Sequence, residues 1–191
     1  MKNIAIFASG SGTNAENIIG YFSTKNSAKV TLVLSNRRDA TVLERAARLR
    51  VPSYFFDRNK FYETGDVLKY LISHDIDFIV LAGFLWLIPG TILEHYHKRI
   101  INIHPALLPK YGGKGMYGDR VHRAVINSGD RISGITIHFV NESYDEGDII
   151  FQARCKVHPS DTIDSLAGRV HSLEYKHYPR IIEKMILKLN D

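Results

Sequence analysis

Short apolar runs alternate with segments of helical periodicity through the first half of the chain. Runs with the length and composition of β-strands lie at 3–8, 30–35, 53–56, 77–82 and 100–103. The segments between them carry apolar residues at helical spacing and predict helices at 15–22, 41–49, 61–73 and 91–96. This alternation predicts a parallel β-sheet with crossover helices.

The second half of the chain follows a different order. Its predicted elements are a glycine-rich loop at 111–118, a helix at 119–127, strands at 134–140 and 149–157, and a helical tail from Thr162. The pattern leaves the direction of the last two strands open, antiparallel included, and Pro179 is expected to break or kink the tail. No repeat or linker divides the chain. We therefore expect one α/β domain, residues 1–191, with a mostly parallel Rossmann-like sheet and helices on both faces.

Composition narrows the class of protein. The chain is 45% hydrophobic, enough to bury one core, and its single cysteine, Cys155, excludes an internal disulfide and any multi-cysteine zinc site. The first apolar run is too short for a secretory signal and no stretch is long enough to span a membrane, so we expect a cytoplasmic protein. The net charge of +5 is dispersed along the chain, which favours small anionic ligands over nucleic acid.

The first strand and the first helix are joined by Ser9-Gly10-Ser11-Gly12-Thr13-Asn14. Glycines allow a tight turn, and the free N–H groups at the start of a helix attract an anion such as a phosphate monoester. The Walker pattern is absent, and Ser35-Asn36-Arg37-Arg38 lacks the carboxylate that would bind the ribose of NAD. An NADP site remains open, as does a turn that only caps a helix.

Asn102 and His104 stand two residues apart near the end of the fifth predicted strand. Alternate residues of a strand share a face, so both side chains point to the same side of the sheet. An amide that holds an oxyanion, beside an imidazole that transfers a proton, suits attack on a carbonyl group. The alternative is a structural histidine at a strand end, and these two residues alone do not decide between the two interpretations.

An acidic loop, 141–148, follows the strand at 134–140. A carboxylate brought from this loop to His104 would orient the imidazole and raise its pKa. The alternative is a loop that is only solvated. The loop lacks calcium-loop spacing and the chain has no His-Glu-x-x-His motif, so we predict no metal site.

Four stretches carry a resemblance to a known family. They are Ser9 to Asn14, Leu81-Ala82-Gly83-Phe84, Asn102-Ile103-His104-Pro105-Ala106-Leu107-Leu108-Pro109, and His138-Phe139-Val140 with Asp145. Together they resemble the phosphoribosylglycinamide formyltransferases over essentially the whole chain. The resemblance implies transfer of a formyl group from 10-formyltetrahydrofolate, as cosubstrate, to the amine of glycinamide ribonucleotide in purine biosynthesis. It also implies direct attack through a tetrahedral oxyanion, with Asn102, His104 and Asp145 as catalytic residues.

The resemblance further implies two binding regions. The residues expected at the ribonucleotide are Gly12, Thr13, Asn14, His171, Ser172, Leu173 and Glu174. Those expected at the folate are Lys60, Leu85, Trp86, Leu87, Ile88, Asn102, Asn141, Glu142, Ser143, Tyr144 and Asp145. Arg58 is the alternative to Lys60 for the folate tail.

Two positions depart from the family pattern. Trp86 stands where better-known members carry arginine, and Arg120 replaces a familiar histidine at the end of a lengthened loop, 111–120. The added residues of that loop suggest a mobile lid.

The sequence also fits other functions. Methionyl-tRNA formyltransferase and formyltetrahydrofolate deformylase share the catalytic stretch, but each normally carries an additional domain for which we expect no room here. An NADP-dependent oxidoreductase would rest on the glycine turn with Arg37 and Arg38, and a nucleic-acid-binding module on charge alone. The partners expected are small molecules, without nucleic acid or membrane, and either a monomer or a dimer fits the sequence.

Overall fold

The computed structural model describes residues 1–189. The strands are β1 (Lys2–Phe7), β2 (Ala28–Ser35), β3 (Ser53–Phe55), β4 (Phe78–Leu81), β5 (Ile100–His104), β6 (Ile132–Phe139) and β7 (Ile149–Lys156). The α-helices are α1 (Thr13–Phe22), α2 (Thr41–Arg48), α3 (Asp66–Ser73), α4 (Gly90–His95), α5 (Asp119–Ser128) and α6 (Ile163–Leu187). A π-helical turn, Asn59–Glu63, precedes α3. Residues 190 and 191 of the expected domain lie outside the described part of the chain.

All seven strands form one sheet in the order β3-β2-β1-β4-β5-β6-β7. The pairs from β3 to β5 are parallel, whereas β6 pairs antiparallel with both β5 and β7. The predicted fold class is confirmed, and the open direction of the last strands is resolved as antiparallel. The strand order reverses between β1 and β4, and open α/β sheets bind ligands in the crevice at such a point.

Each face of the sheet carries its own apolar core. Alternate residues of β1 divide between the two cores, with Ile4 and Ile6 on one side and Ala5 and Phe7 on the other. The first core includes residues of α1, α2, α5 and α6, and the second includes residues of α3, α4 and the π-helical turn. Helices therefore cover both faces, as buried parallel strands require.

The helix predicted at 61–73 is wrong in its first part. Gly65 adopts a left-handed φ of 67° and caps α3, which begins only at Asp66. Phe61, in the π-helical turn, is buried against Phe7 and Phe56, so its apolar character reflects aromatic packing rather than a helix stripe. Buried apolar residues on this non-α-helical segment gave the sequence the same spacing as the apolar face of an α-helix.

Pro179 does not break the last helix, since α6 continues from Ile163 to Leu187. A proline has no N–H, so the carbonyl of Tyr175, four residues earlier, loses its helical partner. Asn17 Nδ2 on α1 donates to that carbonyl at 3.0 Å. A side chain from a neighbouring helix therefore replaces the bond that the proline removes.

Within residues 1–189, no helix combines the length and apolar character needed to cross a membrane.

The glycine turn after β1 packs closely against α2. Gly12 has a φ of 76°, and a Cβ built there would lie 2.8 Å from the Cα of Val42. Gly10 has an ordinary φ and open space around the same position.

We expect Gly12→Ala to lower the free energy of unfolding by at least about 1–2 kcal/mol, the cost of a left-handed alanine, and more because α2 must shift. Gly10→Ala is the matched control and should leave stability within about 0.5 kcal/mol of the parent. Urea unfolding of both variants measures the difference. Equal stability of the two variants would show that the close approach at Gly12 is unimportant.

Candidate active site

A cleft of about 400 Å³ lies at the carboxyl ends of β1, β4 and β5. Its walls are the glycine turn, the segment after β4, the end of β5, part of the glycine-rich loop and one side of α6. The volume and position are those of a small-molecule site at the switch point of an α/β sheet. The stretches that carry the sequence resemblance meet in this cleft.

The glycine turn is fixed by hydrogen bonds within the protein. Ser9 Oγ accepts a 3.1 Å hydrogen bond from the N–H of Leu85, which ties the turn to the segment after β4. Gly12 precedes α1, and no side chain caps the free N–H groups of this helix. Gly12, Thr13 and Asn14 all line the cleft. An anion in the cleft would therefore meet unpaired N–H donors and the positive end of the helix dipole.

Two of the four residues predicted on α6 reach the cleft. His171 and Glu174 line it, and Glu174 accepts a 2.8 Å hydrogen bond from Asn14 Nδ2. Burial raises the pKa of Glu174 more than the bond from Asn14 lowers it. Consecutive helical residues point in different directions, and Ser172 and Leu173 face elsewhere. Ser172 is exposed and bonds to a carbonyl of its own helix, while Leu173 packs against the core.

One end of the cleft, here named the catalytic end, holds the three residues predicted to be catalytic, and the carboxylate of Asp145 lies at its centre. It accepts a 2.9 Å hydrogen bond from the N–H of Gly113 and a long 3.4 Å contact from Asn102 Nδ2. The nitrogens nearest to it from two histidines are His104 Nδ1 at 3.4 Å and His138 Nε2 at 3.6 Å. Burial alone would raise the pKa of Asp145, but the neighbouring imidazoles of His138 and His104 and the N–H of Gly113 together lower it below its usual range.

His138 stands in one of the stretches that carry the family resemblance, but no role in the site was predicted for it from the sequence. It pairs directly with Asn102 across the antiparallel β5–β6 ladder. Its Nδ1 lies 2.8 Å from the carbonyl of Phe139, so Nδ1 carries the proton and Nε2 accepts a 3.1 Å hydrogen bond from Asn102 Nδ2. The histidine therefore fixes the orientation of the Asn102 amide. Its position at the end of a strand, just before an acidic loop, was the available signal.

His104 is only 3% exposed and has an oxygen acceptor at each ring nitrogen. Its Nε2 lies 2.7 Å from the carbonyl oxygen of Tyr111, and Asp145 faces its Nδ1. Burial lowers the pKa of His104 more than Asp145 and the Tyr111 carbonyl raise it. The expected influence of Asp145 thus has the right sign, but the net pKa lies below the ordinary value rather than above it.

The two segments predicted at the folate meet at one edge of the cleft. Leu85, Tyr144 and Asp145 line it, and the Tyr144 hydroxyl lies 3.5 Å from the carbonyl of Leu85. The other predicted residues of these segments, Trp86, Leu87, Ile88, Asn141, Glu142 and Ser143, do not line the cavity. Trp86 instead packs beside Phe61, Tyr62 and Phe84.

The structure separates the two basic residues considered for the folate tail. The Arg58 guanidinium lies 4.7 Å from the centre of the Trp86 ring, next to the segment after β4. The Lys60 ammonium lies over Tyr54, 5.5 Å from its ring centre. Arg58 is therefore the residue that contacts the predicted folate segment.

The glycine-rich loop closes over the catalytic end. Gly113, Gly115, Met116 and Tyr117 line the cleft, and the Arg120 guanidinium lies 5.1 Å from the ring centre of Tyr117. His122, at the first turns of α5, also lines the cleft, and its buried Nδ1 has no hydrogen-bond partner among residues 1–189. Neither His122 nor the Tyr111 carbonyl was identified from the sequence.

The part of the chain that the structure describes contains no group of three or more His, Cys, Asp or Glu side chains placed to hold a metal ion.

A family model described as formyl transferase matches residues 2–182 of this sequence. The chain belongs to the formyl transferase family. Two curated relatives carry the name phosphoribosylglycinamide formyltransferase. The Bacillus subtilis relative is 37% identical, over 100% of this chain and 97% of its own length. The chloroplastic relative of Arabidopsis thaliana is 41% identical over 95% of this chain, which spans 64% of that relative's length.

Solved structures of the same family share the fold. Phosphoribosylglycinamide formyltransferase from Streptococcus pneumoniae TIGR4 has a TM-score of 0.85 and 38% identity, covering 97% of this chain and 99% of its own. Glycinamide ribonucleotide transformylase 1 from Geobacillus kaustophilus has a TM-score of 0.88 and 36% identity, with the same coverage. This member of the formyl transferase family is therefore an enzyme, a transferase of the phosphoribosylglycinamide formyltransferase group.

The position of Asp145 predicts a pH effect in this formyltransferase. Asp145 raises the pKa of His104, so Asp145→Asn should lower that pKa further. If the charged imidazole is the active form, the variant loses turnover most on the alkaline side of the profile, where the parent enzyme still holds the proton. Asparagine tolerates the positive φ of 59° at this position, so the fold should persist.

Turnover against pH and the NMR titration of His104 check this prediction. Glu146→Gln is the control, because it removes a neighbouring charge of the same loop that makes no contact with His104. Identical profiles for the two variants, with an unmoved His104 titration, would contradict the pairing.

Proposed function

We propose that the enzyme transfers the formyl group of 10-formyltetrahydrofolate to the amine of glycinamide ribonucleotide in purine biosynthesis. The observation that carries this proposal is the arrangement of one cleft. Its catalytic end has Asn102 and His104, each 3.4 Å from the carboxylate of Asp145, and its other end has an uncapped helix start beside a buried carboxylate, Glu174. Attack on a carbonyl and recognition of a phosphorylated sugar are the two requirements of this reaction.

The ribonucleotide fits the end formed by α1 and α6. Its phosphate would bind the N–H groups at Gly12, Thr13 and Asn14, where the helix dipole favours an anion. The carboxylate of Glu174, beside Asn14, and the imidazole of His171 also line the cleft and would bind the ribose hydroxyls. Orientation of the sugar by these groups would carry the amine toward His104.

The reduced folate fits the edge formed by Leu85, Tyr144 and Asp145. We place the glutamate tail of the folate beside Arg58 rather than Lys60. The Arg58 guanidinium lies on the Trp86 ring, and its five N–H groups suit a carboxylate. Trp86 would then take part through its aromatic face, in a position where other members of the family carry a cation.

The chemistry begins when the amine attacks the formyl carbon and the carbonyl electrons move to oxygen. One N–H of Asn102 is bound to His138, and the other makes only a long contact with Asp145, so this second N–H is available to the oxyanion. His104 adds positive charge beside the same oxygen. Burial lowers the pKa of His104 in the free enzyme, but the oxyanion is a further negative charge that favours the protonated ring.

Collapse of the tetrahedral species breaks the bond from carbon to the folate nitrogen. The proton lost by the amine passes to that nitrogen through a water, which the carboxylate of Asp145 positions. No covalent bond to the enzyme is formed at any step.

The direct test is an assay of formyl transfer. We expect the absorbance change of the folate product only when glycinamide ribonucleotide is present, together with formylated ribonucleotide in the mass spectrum. Release of formate without an amine acceptor would indicate a deformylase instead. Formylation of methionyl-tRNA in place of the ribonucleotide would equally contradict the proposal.

Loss of Asn102, the proposed oxyanion donor, should lower kcat. We expect Asn102→Ala to reduce kcat by a factor equivalent to about 2.7–4 kcal/mol, with little change in either KM. His104→Ala should reduce kcat by roughly 10²–10⁴. Because the two side chains act on one oxygen, the double variant should be little worse than His104→Ala alone. Strictly additive losses, or a normal rate in Asn102→Ala, would remove the amide from the mechanism.

If Arg58 binds the folate tail, its substitution should change the KM for the folate, whereas substitution of Lys60 should not. Arg58→Ala should raise the KM for the folate about tenfold or less, as expected for loss of one partly exposed ion pair. Lys60→Ala, the matched control, should leave this KM unchanged because its ammonium lies on Tyr54. A folate analogue without the glutamate should not distinguish Arg58→Ala from the parent. A larger effect at Lys60 would reverse the assignment.

A further inference from the structure

His104 lies between two oxygen atoms, and only one of them belongs to Asp145. Its Nε2 is 2.7 Å from the Tyr111 carbonyl oxygen, a normal hydrogen-bond length, whereas its Nδ1 is 3.4 Å from Asp145 Oδ2, which is long. A neutral imidazole has one N–H and can satisfy only one of these acceptors. The shorter contact places that single proton on Nε2.

Tyr111 holds its carbonyl in this position by an anchor at the far end of its side chain. Its hydroxyl donates to Asp130 Oδ2 at 2.7 Å and lies 2.6 Å from Ser128 Oγ. Lys110 Nζ lies 2.9 Å from the same Asp130 carboxylate. Tyr111 also has a φ of 58°, which a bulky residue adopts only when its surroundings require it. Contacts at the hydroxyl and at the carbonyl together impose this conformation.

We propose that Tyr111, anchored through Asp130, is a positioning residue that sets the tautomer of His104, so that Nδ1, the nitrogen beside Asp145, is the one that titrates. The bond from Nε2 to the Tyr111 carbonyl persists in both charge states. The proton gained on Nδ1 then enters directly between the imidazole and the carboxylate. Without the carbonyl, the neutral ring would place its proton on Nδ1, toward Asp145, and the titrating nitrogen would be Nε2, on the far side of the ring.

Only the catalytic consequence of this tautomer rests on the proposed function. The tautomer itself is a property of the free protein. The charged and titratable groups around His104 are Asp145 from the loop after β6, His138 from β6 and His122 from α5. None of them contacts the Asp130 carboxylate. Changes at Tyr111 or Asp130 therefore reach His104 through the Tyr111 backbone and leave its other neighbours in place.

The test is ¹⁵N NMR of the His104 ring in the full chain without substrates, followed across pH. At alkaline pH we expect the parent protein to carry its proton on Nε2. Tyr111→Phe and Asp130→Ala should both shift proton population to Nδ1 and move the titration to lower pH by about one pH unit, a tenfold change in the protonation equilibrium. The alkaline limb of the turnover profile should move with it.

Two further variants separate the anchor from the field of a nearby charge. Asp130→Asn removes the charge but retains an oxygen acceptor for the Tyr111 hydroxyl, and Lys110→Gln removes only the outer ion pair, so both should titrate as the parent does. An Nδ1-protonated ring in the parent would overturn the proposal. So would a shift in Asp130→Asn equal to that in Asp130→Ala, or an unmoved Tyr111→Phe. Because the NMR readout needs no substrate, a failure of the proposed reaction would leave this result unaffected and distinguishable.

Discussion

The carboxylate of Asp145 is the group on which the catalytic end of the cleft depends. Groups from three separate segments converge on it: the Asn102 amide and the His104 ring from β5, the His138 ring from β6, and the N–H of Gly113 from the glycine-rich loop. Burial makes an unpaired carboxylate costly, and the N–H groups of Asn102 and Gly113, together with the charge of His104 when it is protonated, offset that cost. The glycine-rich loop is thereby coupled, through Asp145, to Asn102 and His104.

The antiparallel pairing of β6 with β5 makes this convergence possible. It places His138 opposite Asn102 and Thr136 opposite His104. The Thr136 hydroxyl donates to the carbonyl of Ala106 and accepts from the N–H of Leu108, which fixes the turn after β5. Because β6 runs antiparallel, its last residue, Phe139, lies opposite Ile101, and the acidic loop therefore begins beside the catalytic pair of β5.

Periodicity predicted most of the fold because each buried strand and helix face repeats an apolar pattern. It failed at Phe61, which is buried although it does not lie in a regular helix. It also failed at Pro179, because Asn17 of α1 donates to the Tyr175 carbonyl in place of the hydrogen bond that the proline cannot make. At the site, the chemistry of Asn102 and His104 could be predicted from their residue types and their shared face of the strand, and the role of Asp145 from the family resemblance. The roles of His138 and the Tyr111 carbonyl depend on cross-strand register and backbone direction, which the order of residues along the chain does not specify. The net pKa of His104 likewise depends on burial, which outweighs the carboxylate that sequence reasoning paired with it.

The end of the cleft that holds Glu174 is positioned by a buried tyrosine of α6. Tyr178 is fully buried, and its hydroxyl donates to the carbonyls of Leu81 and Ile101, at 2.9 and 3.2 Å, on the two strands that lead into the catalytic end. Glu174 lies one helical turn earlier on the same side of α6, so this contact sets how far its carboxylate enters the cleft. The bonds from Asn14 to Glu174 and from Asn17 to Tyr175 then align α6 with α1. The distance between the start of α1 and His104 therefore depends on backbone carbonyls of the sheet. One frame thus holds both ends of the cleft.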